Sequence, residues 1–261
     1  MPITPKRHFD EDIARAKAIA VHAKTLLSTT PFEELLRDDL LRSAWMFAVG
    51  AMDAYFCDAY AHFLATTLQA KSLQPTVVLP AFINKIKIPI GSILSPYANR
   101  PNWRWRMAAK AMMERDNVLD LEKVTKLFNP FFPDGQNKKL FAEVLDVWIQ
   151  LPGATAHLFG ITGTVFAAVL NGHAKDQARK DAAKYFTKRI SSIIQRRHDC
   201  IHNCDRPKTS PQPVGSAGSV QNVIRDVRFT VERCDAHFDS EYAAFLTRIG
   251  CTSVTRNQLG Y

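Results

Sequence analysis

Glycine is scarce in this chain, and its cysteines follow no regular spacing. Only 11 of the 261 residues are glycine, while alanine and leucine are plentiful, and this composition favours helices. The cysteines are odd in number and irregularly spaced, which argues against a disulfide framework and indicates a reducing compartment. They are Cys57, Cys200, Cys204, Cys234 and Cys251. The length allows one large domain with a substantial buried core.

Long uncharged apolar runs are also missing. The first residues, MPITPKRH, lead into a charged amphipathic run and lack the apolar core of a signal peptide. The most apolar segment, residues 44–68, contains Asp53, Asp58 and His62, so it is interpreted as a buried helix and not a membrane span. The sequence therefore predicts a cytoplasmic protein without a membrane partner.

Acidic residues are fewer than basic ones. The chain has 34 Lys and Arg against 25 Asp and Glu, which gives a net charge of +9 and an isoelectric point near 9.4. Such a balance favours an anionic partner, of which nucleic acid is the commonest.

The helical pattern is strongest near the two ends of the chain. Residues 9–27 show helical spacing of apolar side chains, and Thr30-Pro31 with Glu33 forms a capping box that starts a long central helix. A second long helix is predicted over 174–203, stopped by Arg206-Pro207. After a Pro/Ser-rich loop over 206–219, Ser219 caps a last helix over about 220–248.

The middle of the chain, residues 73–173, has a different composition. Five prolines interrupt residues 73–101, and the β-branched run at 83–88 predicts a short strand or an extended loop. Helices are predicted over about 102–116, 119–128 and 136–150. The sequence therefore predicts an all-α bundle in one domain, residues 1–261, with a Pro-rich insertion between the core helices.

Residues 196–205, RRHDCIHNCD, concentrate cations, imidazoles and carboxylates at the end of the second long helix. Cleavage of RNA by its own 2′-hydroxyl needs a base, an acid and positive charge on the phosphorane. Histidine titrates near neutral pH and suits the proton steps, whereas the arginine fork holds phosphate oxygens and keeps its charge. Arg197 and His202 are therefore the candidate catalytic pair, with no metal or other cofactor required.

Helical geometry limits how closely the side chains of Arg197 and His202 can approach each other. At about 100° per residue, Arg197 and His202 point about 140° apart on a continuous helix. They converge only if the helix ends or distorts near His202, or if a second chain contributes. The alternative is a solvated helix face with no chemistry.

Two other interpretations of the same segment are weaker. The alternation of His198, Cys200, His202 and Cys204 suggests zinc, but on a helix the histidines and cysteines face nearly opposite ways. Cys200 has basic neighbours that would lower the pKa of its thiol, which is the pattern of a reactive cysteine.

Residues 197–202, RHDCIH, resemble the Arg-polar-x3-His motif of HEPN-domain ribonucleases, in which the polar position is usually Asn, Asp or His. Residues 44–58, AWMFAVGAMDAYFCD, are similar to the long early core helix of the RiboL-PSP-associated branch of that family. The resemblance covers roughly residues 32–70 and 174–248. It implies a helical bundle that dimerises around a shared active site, metal-independent cleavage of RNA to a 2′,3′-cyclic phosphate, and a role as a toxin or in anti-phage defence.

The resemblance also implies roles for individual residues. Arg197 would grip the scissile phosphate, His202 would transfer a proton, and His198 would be polar support or a second proton carrier. Supporting roles fall to Asp53, Asn203 and Asp205, although a structural ion pair is the alternative for Asp53. An antitoxin or a trigger protein is a further implied partner.

Three residues are candidates for binding RNA outside the catalytic pair. Trp103 and Arg104 belong to an alternation of Trp and Arg that suits base stacking and phosphate contact, and Arg196 suits the RNA backbone. Core packing and plain surface charge are the alternatives. For the whole chain, the alternative to an enzyme is a catalytically inactive HEPN-like module for RNA binding or dimerisation.

Overall fold

The computed structural model describes residues 4–26, 30–87, 103–113, 120–133, 139–142, 144–202 and 214–261. At residues 103, 104, 111, 112 and 202 it describes the backbone alone. Every regular element of these residues is helical, which confirms the predicted all-α class. The helices are α1 (Pro5–Thr25), α2 (Pro31–Leu73), α3 (Ala81–Asn84), α4 (Trp103–Met113), α5 (Leu121–Phe128), α6 (Leu145–Ile149), α7 (Ala156–Phe159), α8 (Gly163–Ala168), α9 (His173–His202), α10 (Ala217–Arg248) and α11 (Ser253–Leu259).

Local capping chemistry sets several of these boundaries. Thr30 and Glu33 form the predicted capping box: the Thr30 amide donates to the Glu33 carboxylate at 2.9 Å, and the Glu33 amide donates to Thr30 Oγ1 at 3.2 Å. At α10 the cap is Ser216, whose Oγ accepts from the Ser219 amide at 3.2 Å. The helix consequently begins at Ala217, earlier than the predicted cap at Ser219.

Two predictions for the middle region differ from the structure over part of their span. Of the strand or extended loop predicted over 83–88, residues 83–84 instead end α3, because Pro80 starts a helical turn that buries Ile83; residues 86–87 have no regular element, and residue 88 lies outside the described residues. Of the helix predicted over 136–150, residues 139–142 form bends and turns and Leu145–Ile149 form α6, while residues 136–138 and 143 lie outside the described residues. Phe141 has a φ of 58°, and the Leu140 amide donates to Asn129 Oδ1 at 2.9 Å, so the chain turns before Leu145.

The chain divides into two compact units. The first comprises Met1–Tyr55 with Val144–Arg233, and the second comprises Phe56–Glu143 with Cys234–Tyr261. Helices α2 and α10 each contribute residues to both units. The predicted insertion over 73–173 is therefore divided at residue 143. Over the described residues, none of the helices has the length and apolarity that crossing a membrane requires.

The first unit is built around α1, α2 and α9. Helix α1 runs antiparallel to α2, since Phe9 packs edge-on against Tyr55 and the Arg15 guanidinium lies over the Phe47 ring. The α9 ring of Phe186 stacks on Phe159 of α7 at 5.5 Å between centroids. This stack holds the middle of α9 against α7.

The second unit has an aromatic core. Phe63 of α2 stacks on Tyr242 of α10 with centroids 4.0 Å apart, and Phe128 of α5 stacks on Phe238 at 4.3 Å. The Tyr242 hydroxyl donates to the Phe63 carbonyl at 2.7 Å, so the one polar atom of that buried ring is satisfied.

Truncation of this core should be costly. Phe128 is fully buried, so Phe128→Ala should lower the free energy of unfolding by about 3–5 kcal/mol through lost burial and a residual cavity. The exposed Phe32 supplies the matched control, and Phe32→Ala should change stability by less than about 0.5 kcal/mol. Urea denaturation followed by circular dichroism measures both, and equal losses would contradict this description of the core.

A partly buried histidine gives the second unit a pH dependence. Nε2 of His62 lies 3.0 Å from the Tyr261 hydroxyl, and burial, with a smaller effect of Arg106, lowers the pKa of His62 to about 4. The unfolded chain binds this proton near pH 6.5 and the folded chain does so only near pH 4. The stabilising contribution is therefore complete above pH 6.5 and is lost as the pH falls through 4.

We expect this loss to reach about 3 kcal/mol of unfolding free energy between pH 7 and pH 4. His62→Gln keeps a polar group beside Tyr261 without the titration, so its stability should fall less over the same range. Denaturation series at several pH values test this, and identical pH profiles for the two proteins would rule out His62 as the titrating group.

Candidate functional site

Arg197 lies on the buried side of α9. The buried stripe of this helix comprises Ala182, Phe186, Ile190, Ile193 and Ile194. Arg197 follows Ile193 by four residues and Ile194 by three, so it continues the same stripe, and it is partly buried. A cation therefore occupies the place where the apolar pattern calls for another aliphatic side chain.

Helix α2 fixes the turn that carries Arg197. The indole N–H of Trp45 donates to the Ile193 carbonyl at 3.0 Å. In an α-helix that same carbonyl accepts the backbone N–H of the residue four positions later, which is Arg197. Trp45 therefore anchors the helical turn from which the guanidinium extends.

Two other arginines of this unit with limited exposure have aspartate partners, whereas Nε of Arg233 is buried without a hydrogen bond among the described residues. Arg42 is held by Asp38 and Asp39 at 2.5 and 2.8 Å, and Arg189 by Asp226 at 2.8 Å. Within the described ranges, Arg197 has neither a hydrogen-bond nor an ion-pair partner for its side chain. Because a partly desolvated guanidinium favours a bound anion, this position is suited to a phosphate group.

The second member of the predicted pair lies on another face. α9 is helical through residue 202, so the Cα atoms of Arg197 and His202 are about 140° apart around its axis. His198 is partly buried and shares the face of residue 202, being one turn earlier. The predicted break at Arg206-Pro207 lies outside the described residues. Because the helix continues through residue 202, a break after that residue leaves the Cα atoms of Arg197 and His202 on different faces.

The other predicted site residues with a described backbone lie on α2, α4 and α9. Asp53 is partly buried on α2, eight residues or about 12 Å along the axis from Trp45. Arg196 is partly buried on α9, adjacent to Arg197. Trp103 and Arg104 begin α4. The structure describes only the backbone of these two residues and of His202, and Asn203 and Asp205 lie outside the described residues.

Only two of the four side chains in the zinc interpretation, those of His198 and Cys200, are described by the structure. Cys204 and the side chain of His202 lie outside the described residues, while Cys200 is partly buried on α9. Among the side chains that the structure does describe, no three or more of His, Cys, Asp and Glu come together as a metal site.

One polar cluster of the first unit was missed from the sequence. Asp226 of α10 is buried, and its Oδ2 accepts hydrogen bonds from Arg189 Nε at 2.9 Å and from His157 Nδ1 at 3.3 Å. The cluster joins α7, α9 and α10. The sequence pattern that could have revealed it is the position of Asp226, which lies next to Val227 and three residues after Val223 and therefore falls on the apolar face of α10.

Comparisons of the chain with protein-family models, with curated proteins and with solved structures give no match. The function is therefore inferred from the residues of α9 and their geometry.

Proposed function

We propose that this protein is a metal-independent endoribonuclease of the HEPN type. The observation that carries the proposal is Arg197, a partly buried guanidinium that lacks a counter-ion among the described residues and is held on an anchored turn. The net charge of +9 and the histidines of the same segment support an anionic substrate.

The reaction assigned to this site is transesterification. A base removes the proton of the 2′-hydroxyl, the 2′-oxygen attacks phosphorus, and the bond to the 5′-oxygen breaks as an acid protonates that oxygen. The products are a 2′,3′-cyclic phosphate and a 5′-hydroxyl. Arg197 stabilises the charge of the phosphorane, and His202 transfers a proton, with His198 as its support or second carrier.

The active unit in this proposal is a homodimer. Arg197 and His202 diverge on one helix, so a second α9 that faces the first would bring the arginine of one chain to the histidine of the other. Ile201 lies between them in sequence and is 48% exposed, an apolar side chain that a dimer interface would cover. Asp53, Asn203 and Asp205 are the proposed supporting residues.

The second candidate is a catalytically inactive HEPN-like module for RNA binding or dimerisation. The divergence of Arg197 and His202 favours it if no second chain completes the site. For the ribonuclease, the resemblance suggests toxin action or anti-phage defence in the cytoplasm, with an antitoxin or trigger protein as a further proposed partner.

Cleavage assays distinguish the two candidates. In EDTA the wild-type protein should cut RNA and leave a 2′,3′-cyclic phosphate, and Arg197→Ala and His202→Ala should each reduce the rate at least about 100-fold. Arg15→Ala and His22→Ala, on α1, are the matched controls and should keep wild-type rates. Cleavage that requires a metal ion, or that the two site variants retain, would refute the mechanism.

A shared site predicts complementation between inactive variants. A mixture of Arg197→Ala and His202→Ala chains forms mixed dimers in which one site has both wild-type residues. Random pairing should therefore restore up to about a quarter of wild-type activity.

Ile201→Asp introduced into both chains should abolish this recovery and shift the protein toward monomer in sedimentation velocity. Val254→Asp replaces another exposed aliphatic side chain, on α11, and should alter neither result. Individually inactive variants that gain nothing on mixing, although they form mixed dimers, would show that the site is not shared in this way.

A further inference from the structure

Three lysines form an exposed row along α9. Lys180, Lys184 and Lys188 are spaced by four residues, so they rise about 6 Å per step on one side of the helix. All three are exposed, and in the part of the chain that the structure describes none has a hydrogen bond or an ion pair. Their charges are therefore available to an external partner.

The neighbouring arginines behave differently. Arg179 pairs with Asp146 at 3.2 Å and with Asp176 at 2.9 Å, and Arg189 pairs with the buried Asp226. The cations of this segment thus separate into two arginines that hold the fold together and three lysines that face outward. In all, α9 carries eight Lys and Arg against three Asp.

The lysine row leads to the proposed catalytic segment. On the helical wheel, Ser191, Gln195 and His198 fall within the same sector of about 80° as the three lysines. From Lys180 to His198 this face is about 27 Å long. Two carboxylates, of Asp181 and Asp199, lie at one edge, and each accepts a hydrogen bond from the glutamine one turn before it, at 3.0 and 2.9 Å.

An aromatic ring lies beside the row. Tyr185 follows Lys184 and is 46% exposed. One side of its ring covers Gly160, where an added Cβ would lie 2.9 Å from ring atoms, and Gly160 has a φ of +72° that suits glycine. The ring is therefore held by the end of α7 while much of it faces solvent, as a base-stacking platform requires.

We propose that this face of α9 is a track for single-stranded RNA. Lys180, Lys184 and Lys188 contact phosphates, Tyr185 stacks on a base, and the strand continues toward His198 and residue 202. A single row of cations follows one backbone, and stacking on Tyr185 requires an unpaired base, so a single strand fits better than a duplex. The proposal rests on the proposed ribonuclease function, whose substrate class it defines.

The test measures binding separately from cleavage. The full chain with Arg197→Ala is titrated with a fluorescent oligouridine of about 12 nucleotides, and anisotropy gives the affinity over a series of KCl concentrations. Adding K180Q, K184Q and K188Q should reduce the slope of log affinity against log salt by about 2, since three phosphate contacts are lost. K17Q, K24Q and K85Q remove the same charge from exposed positions elsewhere and should leave the slope nearly unchanged.

Tyr185 is tested in the same assay by two substitutions that keep a large side chain over Gly160. Tyr185→Phe retains the aromatic face and should bind like the parent, whereas Tyr185→Leu should weaken binding about tenfold. Equal slopes for the two triple variants, or equal affinities for Phe and Leu at 185, would overturn the track. Tighter binding of an RNA duplex with the same number of phosphates would overturn the single-strand assignment.

The two proposals fail in distinguishable ways. If the wild type does not cleave RNA but the slopes and the Tyr185 series behave as expected, the track stands and the ribonuclease does not. If the wild type cleaves and the slopes do not change, the ribonuclease stands and the track on α9 does not.

Discussion

The regular twist of α9 is the constraint on which the proposed site depends. At about 100° per residue, it places Arg197 on the stripe that packs inward and His198 and residue 202 on the face that carries the lysine row. The hydrogen bond from Trp45 to the Ile193 carbonyl fixes that orientation one turn before Arg197. The arginine proposed to bind phosphate and the histidines proposed to carry protons therefore lie on different sides of the same helix, and the proposed active unit is a dimer for that reason.

Ion pairing decides which cations of the first unit are structural. Arg42 and Arg189 have limited exposure and are held by aspartates, because a desolvated guanidinium is unfavourable without a counter-charge. Arg197 is partly buried without such a partner among the described residues, and Lys184 and Lys188 are exposed and unpaired in the same range. An external polyanion would supply the missing charge at both places.

Local interactions explain how much of the fold could be predicted. The capping box of Thr30 and Glu33 and the apolar spacing of the long helices act within four residues, so the sequence pattern contains them. The errors fall where local preference competes with other contacts. Residues 83–84 are β-branched or polar but belong to a single turn after Pro80, and the helix expected over 136–150 is interrupted where Leu140 bonds to Asn129.

Spacing along the chain was enough to predict the helical class, the position of the Arg/His segment at the end of a long helix, and the divergence of Arg197 from His202. The tertiary structure adds that Arg189 is bound to Asp226 while Lys188, the residue before it, has no ion pair with any described residue. It also revealed that Trp45 anchors the turn of Arg197. These are contacts between residues dozens of positions apart or more, and pairing at that range depends on how the helices pack.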